Sequence, residues 1–166
     1  MFIKFLTTGG TIDKIYFDDS SRFEVGDSQV EHILRDALVD IDYEVVSLLR
    51  KDSLDIDEAD RARIRDYIER DSAGRYVITH GTDTMVKTAL ALGGLGDRVI
   101  VLTGALSPAR FRSTDAVFNV GLATAAAQSL GPGVYIAMSG TLFAADRVVK
   151  NREKNRFESI ARRDAG

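Results

Sequence analysis

Two threonine-rich turns carry the side chains that are best suited to chemistry in this sequence. The first reads Thr-Thr-Gly-Gly-Thr-Ile-Asp over residues 7–13, and the second reads His-Gly-Thr-Asp-Thr-Met over residues 80–85. Each turn follows a short apolar run, residues 2–6 and 76–78, of the kind that forms a buried strand. In an open parallel sheet the ligand crevice lies outside the carboxyl ends of the strands. We therefore expect both hydroxyl clusters to face one small molecule.

Thr11 is the first candidate for a nucleophile. Gly9 and Gly10 before it allow a sharp turn that exposes backbone N–H groups around the threonine hydroxyl. A phosphate-binding turn or a helix cap would use the same residues, so the motif alone leaves these interpretations open. The glycine spacing differs from that of a dinucleotide-binding fingerprint, and the motif lacks the lysine of a P-loop. Nucleotide binding is therefore the less favoured interpretation.

A threonine hydroxyl is a weak nucleophile unless a neighbouring base takes its proton. Tyr16, in the loop five residues after Thr11, is the nearest candidate base, although a loop tyrosine also serves as a packing or surface residue. Lys150 is a second candidate, because a partly buried lysine could accept a proton from Thr82. The sequence does not show whether Lys150 and Thr82 meet.

Two acidic positions and a serine could bind a small substrate. Asp83 follows Thr82 and could hold an ammonium group, or it could cap the third helix. Asp52 and Ser53 follow the second strand in the same way, so they are expected at the same sheet edge. Ser53 could donate a hydrogen bond to a carboxylate, or it could be an ordinary turn residue.

The composition excludes several classes of protein. The chain has 166 residues, 45% of them hydrophobic, which suits one domain with one core. Its 22 basic and 25 acidic side chains give a net charge of −3, so nucleic-acid binding is not expected. The polar segment after Lys150 is interpreted as solvated. No apolar stretch is long enough to cross a bilayer, and the first residues enter a strand without a signal-peptide pattern, so we expect a cytoplasmic protein without membrane contact.

Metal, disulfide and thiol chemistry are not expected. The chain has no cysteine, and its two histidines, His32 and His80, lie far apart in the sequence. His80, at the end of a strand, is expected to pack or to form local hydrogen bonds, and His32 is assigned no role. We therefore expect neither a metal nor a cofactor.

Apolar runs alternate with segments of helical periodicity, which indicates βαβ units and a parallel sheet. The predicted strands are residues 2–8, 43–49, 76–79, 99–103 and 134–138. The predicted helices are residues 29–38, 57–70, 85–92 and 116–129. Right-handed crossovers between parallel strands place helices on both faces of the sheet. The expected fold is a doubly wound three-layer α/β sandwich with a mainly parallel sheet, of the Rossmann or flavodoxin-like type.

Local signals add detail to these elements. Ser28 and Glu31 are expected to form a capping box at the first helix. In the second helix, three arginines are expected to point outward: Arg61, Arg63 and Arg65. Residues 13–27 are the least regular region, and such a long connection is expected to be a lid over the first threonine turn.

The motifs together resemble the N-terminal domain of bacterial-type L-asparaginases. The resemblance rests on both threonine signatures, residues 8–12 and 80–85, and on Asp52-Ser53, residues 101–105 and Lys150 in the same order. It runs from Phe2 to about Phe157. Either signature alone is moderately specific, whereas the ordered set is strong.

This resemblance implies hydrolysis of the side-chain amide of L-asparagine to aspartate and ammonia. By analogy, Thr11 is the nucleophile that forms an acyl-enzyme, and Tyr16 assists its deprotonation. Thr82 and Lys150 act as a second hydroxyl and base, Asp83 holds the α-ammonium group, and Asp52-Ser53 contributes to substrate binding through the α-carboxylate. The resemblance implies no metal or cofactor.

The sequence departs from the longer members of that family. Those members add a smaller C-terminal domain that lends acidic groups to a neighbouring subunit's site, whereas residues 1–166 are expected to form a single N-terminal-type catalytic domain. The closing residues 162–166 are interpreted as an unstructured end, which favours a complete chain. Phe23 replaces the lid tyrosine of the longer members, and Leu54 replaces a polar contact residue. A homodimer or homotetramer is expected to cover the surface left by the missing domain.

Two other functions remain possible from the sequence. One is an amino-acid-binding or regulatory domain that keeps the substrate cradle with little or no catalysis. The other is a nucleotide-binding sandwich that uses Gly9 and Gly10 for phosphate. The presence of Thr11, Thr82 and Lys150 together favours the enzyme, because binding alone requires neither two hydroxyls nor the lysine.

Overall fold

The computed structural model describes residues 1–17 and 22–160. The strands within these residues are β1 (Phe2–Gly9), β2 (Lys14–Phe17), β3 (Arg22–Val25), β4 (Asp42–Lys51), β5 (Arg75–Thr79), β6 (Val99–Thr103), β7 (Gly133–Met138), β8 (Thr141–Ala144), β9 (Val148–Asn151) and β10 (Arg156–Ser159). The α-helices are α1 (Val30–Asp36), α2 (Glu58–Arg70), α3 (Met85–Ala91) and α4 (Ala116–Ser129). Short 3-10 helices cover Thr11–Asp13, Ser53–Asp55 and Ala145–Arg147.

The main sheet has six strands in the order β4-β1-β5-β6-β7-β8, and only its last pair, β7 and β8, is antiparallel. Numbered along the chain, the five parallel strands stand in the order 2-1-3-4-5, which is that of flavodoxin-like doubly wound sheets. The strand order reverses between β1 and β5. Both threonine turns follow these two strands, so they lie at the position where such sheets bind ligands. The predicted fold class is confirmed.

Helices cover both faces of the sheet because the central strands are apolar on both sides. Val99 to Leu102 of β6 are all buried, and each alternate residue belongs to the opposite core. One core packs Ile64 and Ile68 of α2 and Met85 of α3 against one sheet face. The other packs α1 and the alanines of α4 against the opposite face. The sheet edge that carries the turns is thereby held between two hydrophobic layers.

The first helix is shorter than expected, and its predicted capping box is wrong. The residue before α1 is Gln29, and no side chain caps the helix from that position. The backbone N–H of Gln29 instead donates to the Asp13 carboxylate, at 2.8 Å, from the end of the first threonine turn. Ser28 Oγ accepts from Val30 N–H at 3.3 Å instead of pairing with Glu31, and the tertiary contact to Asp13 holds the residue before the helix.

The second helix begins where expected, but one of its arginines was placed on the wrong side. Asp57 caps α2 in a capping box with Asp60, which supports the predicted start. Arg61, expected to point outward, is only 2% exposed, because its guanidinium group is drawn inward to the Thr88 hydroxyl. A buried arginine of this kind needs polar partners that the sequence does not display.

Two hairpins form where no strands were predicted, in the irregular region of residues 13–27 and in the segment after Lys150 that was interpreted as solvated. Within residues 13–27, β2 and β3 pair antiparallel, with Tyr16 opposite Phe23 and Lys14 opposite Val25. The polar segment after Lys150 pairs β9 with β10, although its side chains from residue 152 to 156 are exposed as expected. The acidic and serine residues 18–21 and the closing residues 162–166 lie outside the described residues.

Candidate active site

The two threonine turns touch through their glycines. Gly10 has φ +88°, and a Cβ at this position would lie 2.6 Å from the Cα of Gly81 and also against its backbone nitrogen. Gly81 in turn leaves no room for a side chain, because a Cβ there would lie 2.7 Å from Ser53 Oγ. Thr11 and Thr82 directly follow these two glycines. The absence of side chains at both positions therefore lets the two turns approach each other at Gly10 and Gly81.

Lys150 links the second turn to the far end of the chain. Its ammonium group donates to Thr82 Oγ1 at 2.5 Å and to Asp83 Oδ1 at 2.9 Å. The Lys150 side chain is 8% exposed, whereas that of Asp83 is 40% exposed. The Lys150 nitrogen is thus bonded to both residues, and part of the Asp83 side chain is accessible to solvent. Asp83 does not cap α3, whose preceding residue is Thr84.

Ser53 packs beneath the same turn. It is 2% exposed, its side chain contacts Gly81, and its carbonyl oxygen accepts a 2.6 Å hydrogen bond from Thr84 Oγ1. Asp52, the preceding residue, accepts a hydrogen bond from Leu54 N–H at 3.2 Å. The structure therefore brings the Asp52-Ser53 segment against the second threonine turn, as expected for residues at one sheet edge.

A buried relay fixes the shape of the second turn. His80 lies 1% exposed, and its Nδ1 lies 2.7 Å from the Gly81 carbonyl oxygen. Because a carbonyl only accepts, Nδ1 carries the proton, and Nε2 accepts from the Thr88 hydroxyl at 2.9 Å. Thr88 Oγ1 accepts from Arg61 Nε at 3.2 Å. Burial lowers the pKa of His80 to about 4, so the imidazole is neutral near pH 7. The expectation that His80 bonds locally is confirmed.

The first turn is held mainly by its backbone. Gly10 N–H donates to the Lys51 carbonyl at 2.9 Å, and Ala109 N–H donates to the Ile12 carbonyl at 3.0 Å. Asp13 ends the turn as a buried carboxyl, and burial raises its pKa to about 7 despite the hydrogen bond from Gln29 N–H. This carboxyl therefore carries a proton in part of the molecules at neutral pH.

Thr11 itself is only partly buried, and among the described residues no hydrogen bond joins it to Tyr16. Tyr16 lies in β2 and is 52% exposed, and its ring centroid lies 5.4 Å from that of Phe23. Phe23 continues this contact to Phe111 at 5.9 Å, in the loop after β6. The predicted base is therefore near the sheet edge but is not engaged with the predicted nucleophile.

Several residues around the site were not found from the sequence. Lys14 forms a 2.8 Å ion pair with Asp52, and Arg61 and Thr88 support His80. Alternation of polar and apolar residues in β2 and β3 was the available signal for Lys14, since it indicates a hairpin with Lys14 and Tyr16 on one face. No comparable signal marks Arg61, because an arginine on a helix is normally solvated.

The described residues offer no obvious metal centre. Within residues 1–17 and 22–160, no group of three or more histidine, aspartate and glutamate side chains is arranged to hold an ion. In the same part of the chain, no helix combines the length and apolar character needed to cross a membrane.

Comparison with curated proteins finds relatives over part of the chain. A glutaminase-asparaginase of Acinetobacter glutaminasificans is 38% identical over 93 residues, which are 53% of this chain and 28% of that protein. A glutamyl-tRNA(Gln) amidotransferase component of Methanococcus vannielii is 41% identical over 81 residues, which are 48% of this chain and 19% of that protein. The aligned segments thus span well under half of each relative.

Comparison with solved structures extends over almost the whole chain. The thermostable L-asparaginase from Thermococcus kodakarensis superposes with a TM-score of 0.83 and 30% sequence identity. The match covers 96% of this chain and 51% of that chain, so this chain spans about half of the solved protein. The family model for the N-terminal domain of asparaginase matches residues 2–165. The chain belongs to the asparaginase family and represents the N-terminal domain of that family.

Proposed function

We propose that this protein is an amidohydrolase that converts L-asparagine to L-aspartate and ammonia through a threonine acyl-enzyme. One observation carries the proposal: the two threonine turns meet at Gly10 and Gly81, and a buried lysine is bonded to the second threonine. A site for binding alone would not require a lysine 2.5 Å from a hydroxyl. Membership of the asparaginase family supports the same reaction.

In the first half of the proposed reaction, Thr11 Oγ1 attacks the carbon of the substrate's side-chain amide. Tyr16 accepts the hydroxyl proton of Thr11 while its own phenolic proton passes to the amide nitrogen, so that the C–N bond breaks and ammonia leaves. The acyl-enzyme ester on Thr11 remains. Backbone N–H groups near Thr82 supply donors to the oxyanion, and losing one such donor typically costs about 2.7–4 kcal/mol of transition-state stabilisation.

In the second half, water attacks the ester carbon and Thr11 leaves with a proton. Thr82 and Lys150 are proposed to relay that proton from the attacking water to Thr11 Oγ1, with Lys150 acting as the neutral amine in this step, because a hydrogen bond already joins Lys150 Nζ to Thr82 Oγ1. Asp83 is proposed to hold the substrate ammonium with the carboxylate oxygen that does not bind Lys150. Ser53, beneath Gly81, is proposed to donate to the substrate carboxylate, and Asp52 to hold that segment in place.

A second candidate function is an amino-acid-binding or regulatory domain with little or no catalysis. The specific observation in its favour is that Tyr16 forms no hydrogen bond with Thr11 among the described residues, which leaves the nucleophile without a base in this conformation. The chain is also similar to part of an amidotransferase component, so the test of function should not assume that ammonia is released. Binding and turnover must therefore be measured separately.

The proposed function is tested by ammonia release from L-asparagine and, separately, from L-glutamine, with Thr11→Ala as the matched control. We expect release from asparagine that is lost in the control, and calorimetric binding of asparagine by both proteins. Binding without release by the wild-type protein would favour the second candidate. If the wild-type protein neither binds asparagine nor releases ammonia from it, both candidate functions are contradicted.

Location and assembly stay predictions from the sequence. A cytoplasmic location is tested by fractionation of cells that produce the protein. The expected homodimer or homotetramer is tested by light scattering on the purified chain.

A further inference from the structure

One face of the β2–β3 hairpin is turned towards the first threonine turn. Side chains two residues apart on a strand share a face, so Lys14 and Tyr16 lie together, with Val25 and Phe23 opposite them in the register. Val25 identifies this face, because its Cγ1 lies 2.9 Å from the position of a Cβ at Gly9. The hairpin therefore covers the glycines of the turn with the same face that carries Tyr16.

Lys14 joins this face to the substrate-binding segment. Its Nζ lies 2.8 Å from Asp52 Oδ2, and the two side chains are 26% and 32% exposed. Asp52 also accepts from Leu54 N–H, so its carboxylate is fixed at the start of the 3-10 helix that contains Ser53. Burial favours the protonated form of Asp52, but the Lys14 ammonium and the N–H donors of Leu54 and Ser53 outweigh it, and the pKa lies below its ordinary value. The Asp52 carboxyl is therefore ionised at neutral pH.

The two strands of the hairpin are held by different contacts. On the β3 side, Arg50 Nε donates to the Val25 carbonyl at 2.9 Å and its NH1 binds Asp27 at 3.0 Å. On the β2 side, the Lys14–Asp52 pair is the only ion pair or side-chain hydrogen bond to the sheet edge that we find in residues 14–16. Lys14 therefore supplies the charged contact between β2 and the Asp52-Ser53 segment, beside the packing of Phe23 on Phe111 from β3.

We infer that Lys14 is a positioning residue for the acylation step: its ion pair with Asp52 sets the distance between Tyr16 and Thr11. The inference rests on the proposed function, in which Tyr16 accepts the Thr11 proton. A partly exposed ion pair contributes little to global stability. It can nevertheless decide the position of a two-stranded hairpin, because such a hairpin is itself only marginally stable. The same pair couples the hairpin to Ser53, so the substrate-binding segment and the base move together.

The test replaces the charge while keeping the length of the side chain. We expect Lys14→Met to slow single-turnover acylation by about 10- to 100-fold, a range typical of small misplacements of reacting groups, with KM changed about twofold or less. Lys14→Arg should restore most of the rate. Asp52→Asn, which keeps an oxygen for Leu54 N–H, should reproduce the loss. Lys87→Met is the matched control, since it breaks an exposed 2.8 Å ion pair with Glu58 elsewhere, and it should leave acylation unchanged.

A double-variant cycle separates positioning from a general loss of structure. If Lys14 acts through Tyr16, then Lys14→Met should have little further effect in a Tyr16→Phe protein. Independent effects of the two substitutions, or an unchanged acylation rate in Lys14→Met, would overturn the inference.

A second measurement does not depend on catalysis. Amide hydrogen exchange of residues 14–16 and 23–25 should be faster in Lys14→Met than in the wild type, and unchanged in Lys87→Met. If the wild-type protein hydrolyses no amide, the proposed function fails while this measurement still decides whether Lys14 anchors the hairpin. Equal exchange in Lys14→Met and the wild type would overturn that anchoring.

Discussion

The two threonine turns share a sheet edge but differ in what holds them. Side chains fix the second turn: Lys150 binds Thr82, and His80 bonds to the Gly81 carbonyl from below. The first turn is fixed by its backbone, as in the bond from Gly10 N–H to Lys51. Its Thr11 side chain has no hydrogen-bond partner among the described residues.

The second turn is therefore held by buried side chains, whereas the first turn depends on the β2–β3 hairpin at the surface. The second turn is organised in the folded chain before any substrate arrives, because its partners are buried. The first turn depends on β2 to bring Tyr16 to Thr11, and Tyr16 is half exposed. We therefore expect side-chain substitutions in the second turn to affect both folding and turnover, and substitutions of Thr11 and Tyr16 to affect mainly turnover.

The largest expected effect is on turnover when either hydroxyl is removed. Thr11→Ala and Thr82→Val should each reduce amide hydrolysis by about 10³-fold or more, because residues that act as a unit fail together. Thermal unfolding of both variants should remain cooperative, and Thr82→Val should lower the midpoint more, since Lys150 loses a buried acceptor. Rates like those of the wild type in either folded variant would contradict the two-threonine mechanism.

The next effect concerns the contact between the turns. Gly10→Ala should destabilise the protein by about 2–6 kcal/mol, the sum of left-handed backbone strain and a steric clash with Gly81. Gly94→Ala is the matched control, because Gly94 also has a positive φ, +77°, but a Cβ there would meet nothing within 4 Å. The difference between the two free energies of unfolding, from urea titrations, measures the cost of separating the turns. Equal losses of stability in Gly10→Ala and Gly94→Ala would show that the contact between Gly10 and Gly81 does not stabilise the protein.

The two turns should also respond to pH in opposite directions. Asp13 has a pKa of about 7 in the folded chain against an ordinary 3.8, so the folded state holds more protons between these values. The contribution of Asp13 to the free energy of unfolding therefore falls as pH rises from 3.8 to about 7, by at most about 4 kcal/mol. His80 has a pKa of about 4 against 6.5, so its contribution is lost as pH falls through that window.

Asp13→Asn separates these two contributions, because an asparagine keeps an oxygen for Gln29 N–H without titrating. Urea unfolding between pH 4 and 7.5 should show a free energy of unfolding that rises more steeply with pH in this variant than in the wild type. An unchanged pH dependence would mean that Asp13 does not carry a proton in the folded protein.

The smallest expected effect tests the relay beneath the second turn. Thr88→Val should cost about 2 kcal/mol, because it leaves His80 Nε2 and Arg61 Nε without a partner in the core. Thr124→Val is its control, since the Thr124 hydroxyl bonds only to the Val120 carbonyl one turn earlier in α4. If urea unfolding gives the two variants equal stability, the hydrogen bonds of Thr88 to His80 and Arg61 do not stabilise the second turn.

Much of the fold could be predicted because its signals are local. Residues 99–103 and 116–129 were predicted with the bounds that the structure has, since a short apolar run and a long alanine-rich segment leave little ambiguity. The second helix was predicted to begin at Asp57, which the structure has as the N-cap of α2. The β2–β3 hairpin was missed because its alternation is short and lies beside a turn-rich segment.

The candidate site was predicted as a set of residues but not as a network. Hydroxyl, acid and lysine positions are readable from motifs, whereas the pairs that connect them join distant parts of the chain. Lys150 and Thr82 are separated by 68 positions, and no periodicity relates them. The inward turn of Arg61 towards Thr88, 27 positions away, is equally invisible in the sequence.

The order of the residues determines the pattern of strands and helices, the family motifs and the sharp turn at Gly9 and Gly10. These features depend on backbone freedom, side-chain size and hydrophobic periodicity, which act over a few residues. Three other features arise only in the folded chain: Lys150 binds Thr82, Asp13 accepts from the residue before α1, and Lys14 ties the hairpin to Asp52. A charge or a buried hydrogen-bonding group selects its partner by distance in space, and that distance exists only after the sheet has formed.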